Sequence, residues 1–196
     1  MLSMLESYFG DTLADTKEQL RAVSMGSRFR GNDGAIAAPC WQNISLIHLS
    51  LHPMTYDTQN AFARILRGEL PSIRVHEDAF TIAIMDIMPQ AEGHVLVIPK
   101  EAAAELMDLS EAGAEACART VRRIAIAVKA ALNPPGVMVA QFNGSAAGQT
   151  VPHVHFHIVP RRQAEALKPH GAVQADPVQL QALADRIVAA LQKLDA

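Results

Sequence analysis

Between Val151 and Val159 the chain reads VPHVHFHIV, and this alternation of histidine with apolar residues constrains the fold more than any other feature. In an extended strand successive side chains point to opposite faces. His153, His155 and His157 then project from one side and Val154, Phe156 and Ile158 from the other, giving a polar row backed by a core face. Protonating one of three neighbouring imidazoles raises the cost of protonating the next, so the row points to chemistry rather than to packing. His48, His52, His76 and His170 stand alone and read as ordinary satisfied or partly exposed residues.

The elements that build the core follow from periodicity. Ala61 to Arg67 predicts a short helix with Phe62, Ile65 and Leu66 on one side, stopped by Gly68 and Pro71. Three strands are expected next, at Ile73 to His76, Phe80 to Asp86 and His94 to Pro99, with short turns that imply antiparallel neighbours. Ser110 to Leu132 carries Cys117, Val121, Ile124, Val128 and Leu132 at helical spacing, capped by Ser110 and ended by Asn133-Pro134-Pro135. Two more strands, Gly136 to Phe142 and Val151 to Val159, flank a loop of small residues. A last helix starts with Asp176 and Pro177 and shows Leu180, Leu183, Ile187 and Leu191. Helix, three strands, helix, two strands and helix describe an α+β domain with a five-stranded antiparallel sheet.

All of these elements lie after residue 53. Upstream, Ser24 to Gly34 is polar and Gly-punctuated, and only Ile44 to Leu51 could form a strand. The division expected is therefore an N-terminal extension over 1–53, dispensable and outside the domain, the domain itself over 54–165 with Met54 as its functional start, and a C-terminal helical segment over 166–196. At 49% hydrophobic and 19% charged the chain can bury a core.

Its charge limits the partners. A net charge of -3 with no basic run longer than two residues leaves no footprint for nucleic acid or an anionic membrane, so any anionic partner is small and locally bound. Cys40 and Cys117 are far apart and form no CxxC, which predicts neither a disulfide framework nor a zinc ribbon and suits a reducing cytoplasm. No export signal or membrane span is expected.

Two chemistries suit the histidine row. His-x-His can give two imidazoles to a transition metal. Alternatively, one neutral imidazole can attack a phosphate while its neighbours donate to the phosphoryl oxygens. The loop Asn143 to Thr150 (NGSAAGQT) favours the phosphate, since small residues such as Gly148 let backbone N–H groups approach an anion and Gln149 and Thr150 add side-chain donors. No carboxylate or cysteine sits within the motif as a further metal ligand. No metal or cofactor is expected.

The run Gln149-Thr-Val-Pro-His-Val-His-Phe-His-Ile-Val-Pro-Arg161 resembles the signature of the histidine triad (HIT) family, three histidines alternating with apolar residues. Phe62 to Pro71 looks like the family's opening helix and Met85 to Lys100 like its central hairpin, so the resemblance covers about residues 60 to 162. It implies a nucleotide hydrolase or nucleotidyl transferase acting at the α-phosphate of purine nucleotides, either dinucleoside polyphosphates or nucleoside phosphoramidates. A nucleotide-binding module with little turnover is the alternative, and a metal protein using the row is a third.

By position the resemblance makes His155 the nucleophile, His153 the group that fixes its orientation and tautomer, and His157 and His94 donors to the α-phosphate oxygens. It makes Asp86 the acceptor for the ribose hydroxyls, Phe62, Ile65 and Ile87 an apolar slot for the base, and Gln149, Thr150 and Gly148 parts of the phosphate loop. Many members carry Asn seven residues before the loop Gln; that place is Phe142 here, which leaves the amide of Gln141 or of Asn143 as the phosphate contact. Asn60-Ala-Phe-Ala-Arg64 lacks the Cys pair that joins a structural zinc in some bacterial relatives, so no such zinc is expected. The ending Val159-Pro-Arg161 resembles the dinucleoside polyphosphate branch more than the Gly-Gly ending of the phosphoramidase branch. A homodimer through the long helix and a sheet edge is also implied.

Overall fold

The computed structural model describes residues 56–167 and 173–195. The elements are α1 (Ala61–Leu66), β1 (Arg74–Glu77), β2 (Thr81–Met85), β3 (Val95–Pro99), α2 (Glu111–Leu132), β4 (Gly136–Gln141), β5 (Phe156–Arg161) and α3 (Pro177–Leu194). The proposed extension over 1–53, with the strand at Ile44 to Leu51, lies outside the described residues. All five strands form one antiparallel sheet in the order β1-β2-β3-β5-β4, as an α+β reading requires. Short turns lay β1, β2 and β3 side by side. The chain then crosses in α2 to the far edge, runs back as β4, and fills the gap with β5.

Each helix starts where a side chain can satisfy the orphan N–H groups of its first turn. Asn60 accepts from the Ala63 N–H, Ser110 from Gly113 and Asp176 from Val178. At the other end of α2, Asn133 takes the left-handed conformation (φ 48°) that a short polar side chain tolerates, and the two prolines after it forbid further helix.

The central strands are buried on both faces, so β2 and β3 read as unbroken apolar runs. On one face Ala83, Met85, Val95, Val97 and Ile158 meet Ile124, Val128 and Leu132 of α2 and Leu180, Leu183 and Ile187 of α3. Here the predicted stripe of α2 is found, although Val121 is only partly buried. On the opposite face Ile82, Ile84, Leu96 and Ile98 are covered by Phe62 and Ile65. Helices of 22 and 18 residues seal the first face, whereas the six residues of α1 cover only part of the second. The uncovered part becomes a cavity.

Gly93 fixes the approach to β3. Its φ of +83° is a conformation that other residues rarely adopt, and a Cβ there would stand 2.2 Å from Leu132 Cδ1. The turn is thus pressed onto the end of α2, and the next residue, His94, is held against the sheet with no exposed surface. No helix among the described residues is long and apolar enough to cross a membrane.

Ile124 is fully buried at the junction of α2 with the sheet. Ile124→Ala should lower the unfolding free energy by about 2–5 kcal/mol, the usual range for emptying such a site. Urea denaturation measures this. A loss below ~1 kcal/mol would mean that α2 is not seated there.

Candidate active site

The histidine row does not stand in a single strand. Pairing of β3 with β5 begins at Val97 and Phe156, so His157 lies inside β5 while His153 and His155 precede it. The reason lies in the neighbouring strand. β3 ends at Pro99, which has no N–H to donate to a ladder, and the Val154 N–H bonds instead to the Ala103 carbonyl at 2.9 Å. Val154 and Ile158 still point into the core as the alternation predicts, and Phe156 is partly buried. The histidines do not form a solvated row: His153 and His94 have no exposed surface, and His155 and His157 have 4% and 1%. The ring centroids of His155 and His157 are 4.8 Å apart, and those of His94 and His157 are 5.2 Å apart.

Because a carbonyl can only accept, the bonding partners assign the ring protons. His155 Nδ1 is 2.7 Å from the His153 carbonyl, so Nδ1 carries the proton and Nε2 the lone pair. His153 Nε2–H donates to the Pro99 carbonyl at 2.9 Å, and its Nδ1 accepts from the Tyr56 hydroxyl. Burial lowers the His153 pKa; the bond to Pro99 opposes this and neighbouring His155 adds to it, so His153 is held neutral. The Gln90 N–H donates to His94 Nδ1 at 3.2 Å. His94 therefore carries its proton on Nε2 and donates it to His157 Nδ1 at 3.0 Å, which places the His157 proton on Nε2. The result is a lone pair on His155 beside an N–H on His157.

These two rings line a cavity of about 300 Å3 whose walls include Phe62, Ile65, Ile84, Leu96 and Ile87. Asp86 and Thr150 add polar groups to it. His155, His157, Asp86, Thr150, Phe62, Ile65 and Ile87 are thus brought together. Asp86 is 7% exposed and its Oδ1 accepts the Met88 N–H at 2.8 Å, an Asx turn at the end of β2. Asp86 Oδ2 stands 3.2 Å from His94 Nδ1, so a proton arriving on that nitrogen would meet a carboxylate.

Other expected residues are not on the cavity wall. His94 stands behind His157 and bonds to it rather than lining the cavity. Gln141 and Asn143 bond each other's amides at 2.9 and 2.8 Å, and Asn143 Oδ1 also accepts the Leu106 N–H. Gln149 accepts from the Gly144 N–H and donates to the carbonyls of Ala104 and Val151. All three amides therefore hold the shape of the loop. Gly148 closes its turn at a φ of +95°.

Sequence reasoning missed Tyr56 entirely and noted Phe142 only as a departure. The Phe142 ring meets His157 edge-on at 5.4 Å between centroids. Tyr56 lies in no periodic element or motif that would signal it, and Phe142 is signalled only as the end of the strand expected over Gly136 to Phe142.

Among the described residues, Asp86, His94 and His157 offer possible metal-ligand atoms within 4.8 Å of one another. Gln90 and His157 already engage both His94 nitrogens, so an ion there would have to displace hydrogen bonds. Cys117 is no candidate nucleophile: burial pushes its thiol up to about 11, with Asp78 and Glu101 adding to the effect.

Residues 67–164 match the HIT domain. The chain belongs to the HIT family. HIT relatives include the adenosine 5'-monophosphoramidase of Schizosaccharomyces pombe, 41% identical over 104 residues, which are 53% of this chain and 75% of that protein. The adenosine 5'-monophosphoramidase of Saccharomyces cerevisiae is 39% identical over 110 residues, 56% of this chain and 67% of that protein. Among solved structures, a Hit-like protein involved in cell-cycle regulation from Bartonella henselae is 45% identical with a TM-score of 0.66, covering 69% of this chain and 98% of that one. A zinc-bound histidine triad family protein from Mycobacterium smegmatis is 36% identical with a TM-score of 0.63, covering 70% and 96%.

The buried neutral His153 of this HIT protein ties stability to pH. Its folded pKa is depressed, so below about 6.5 the unfolded chain binds more protons at this group than the native one. Its contribution to stability is full above that pH and declines as pH falls. Urea midpoints measured from pH 7.5 down to 5 should drop; midpoints that stay level or rise would contradict the assignment.

Proposed function

We propose that the protein cleaves purine nucleotides at the α-phosphate through a covalent nucleotidyl-histidine, with dinucleoside polyphosphates or nucleoside phosphoramidates as substrates. The observation that carries this is the bond from His155 Nδ1 to the His153 carbonyl, which puts the His155 lone pair on Nε2 at a cavity wall. His155 Nε2 attacks the α-phosphorus, and the bond to the leaving group breaks with its electron pair departing on that group. A polyphosphate leaves as its anion, and an amine leaves after gaining a proton from solvent water. A water molecule then attacks phosphorus and releases a proton to solvent, the P–N bond breaks, and the electron pair returns to His155 Nε2.

The other roles follow from position. His157 Nε2–H donates to the phosphoryl oxygens as charge builds there, and His94 acts one step back by fixing the His157 tautomer. Asp86 receives the ribose hydroxyls through Oδ2, while Oδ1 stays on the Met88 N–H. Phe62, Ile65 and Ile87 hold the base by apolar contact. Thr150 serves the phosphates from the cavity wall, while the N–H groups of Ala147, Gly148 and Gln149 are engaged within the turn and belong to the frame. Gln141, Asn143, Gln149 and His153 act as the frame. Phosphoramidase relatives favour the phosphoramidate substrate and the Val159-Pro-Arg161 ending the polyphosphate, so both classes stand.

The working unit in this reading is a cytoplasmic homodimer of the domain starting near Met54. The outer face of α2 exposes Ile126, and β4, one of the two edge strands of the sheet, exposes Val139. An edge strand with apolar side chains invites a second copy.

His155→Asn should cut turnover of adenosine phosphoramidate and dinucleoside tetraphosphate by at least about a thousandfold while the Kd for AMP changes less than about threefold. The comparison is made in the full chain and in a chain starting at Met54, each checked by light scattering for a mass of two copies. Full activity in the His155 variant would refute the nucleophile. Inactivity of the shortened chain, or monomers, would refute the proposed working unit.

A further inference from the structure

We propose that Tyr56 is a positioning residue, whose hydroxyl locks His153 in one tautomer and, through the His153 carbonyl, holds His155 for attack. This rests on the nucleotidyl-histidine reading above and adds a residue that the histidine row does not contain.

Three contacts form the chain of action. The Tyr56 O–H donates to His153 Nδ1 from 97 positions earlier in sequence, and His153 Nε2–H donates to the Pro99 carbonyl from the end of β3. Both nitrogens of a fully buried ring are thereby tied to separate segments of the fold. A ring held at both nitrogens holds its own backbone, and the carbonyl of that backbone accepts the His155 Nδ1–H at 2.7 Å. Phe62 closes the remaining side, edge-on to His153 at 6.2 Å and to His155 at 4.9 Å between centroids.

The hydroxyl matters because it donates. With the Tyr56 O–H donating a hydrogen bond to Nδ1 and the Pro99 carbonyl accepting at Nε2, His153 keeps its own proton on Nε2. Remove the hydroxyl and Nδ1 becomes a buried acceptor without its donor, a state the ring can relieve by binding a second proton or by turning away from Pro99, which frees its tautomer. Either change rotates or charges the residue whose carbonyl steadies the nucleophile. Among the described residues, the titratable groups facing His153 are Tyr56 and His155. A cationic His153 would also oppose the positive charge that develops on His155 as its lone pair bonds to phosphorus.

Tyr56→Phe in the full chain is the test, because it keeps the ring contact with His153, 5.5 Å between centroids, and deletes only the donor. We expect kcat for adenosine phosphoramidate to fall about threefold to tenfold, the range one hydrogen bond can account for, with KM within about twofold. The acid limb of the kcat profile should move to higher pH, since the neutral form of His153 has lost a stabilising bond. Nitrogen-15 NMR of the imidazoles should show His153 as a single Nε2–H tautomer in the wild type and as a mixture or cation in the variant. Unchanged kcat and acid limb would overturn the proposal, as would a variant that only melts earlier while the folded protein keeps its pH profile. Wild-type turnover with an unaffected variant sinks this inference alone; no turnover in either protein sinks the functional reading with it.

Discussion

One hydrogen bond organises the rest of the site: the His155 ring donating to the backbone of His153. An imidazole is a nucleophile only at a nitrogen that carries no proton, and an untethered neutral ring divides its proton between both nitrogens and turns freely. A backbone acceptor two residues away removes both freedoms. In the proposed attack it also keeps the remaining proton engaged while positive charge grows on the ring, an interaction strongest where water is excluded. The burial of all four histidines supplies that exclusion.

The sheet explains why such a site exists on this face. Long helices α2 and α3 seal one side of β2, β3 and β5, while the six residues of α1 leave part of the other side open between Phe62, Ile65 and Leu96. Leu96 pairs with His157, so that ring stands in register with a core leucine and its position inherits the rigidity of the central strands. Around it, the donors and acceptors that a phosphate loop would offer to solvent are largely spent on one another. The amides of Gln141, Asn143 and Gln149 tie the loop to itself and to the segment Ala104 to Leu106, leaving Thr150 as the loop residue on the cavity wall.

Much of this was legible in residues alone. Alternation and helical spacing are local signals, and they located the helices, the five strands and the core side of the histidine segment. Phe62, Ile65, Asp86 and Ile87 were placed by resemblance and do meet at one cavity. What escaped was decided by long-range partners. The start of β5 depends on Pro99 in another strand, and the turning inward of Gln149 depends on carbonyls at 104 and 151. His94 offers a donor in the sequence, but its nitrogens are committed by Gln90 and His157. Tyr56 had no signal at all, since a lone tyrosine ahead of a helix belongs to no pattern until His153 folds back upon it.

The stereochemistry at phosphorus probes the covalent step most directly. A nucleotidyl-histidine requires two in-line displacements, each inverting the centre, so hydrolysis of a substrate made chiral at the α-phosphorus with sulfur and oxygen isotopes should give overall retention. Overall inversion would mean that water attacks the substrate in one step, and the account of His155 would be wrong.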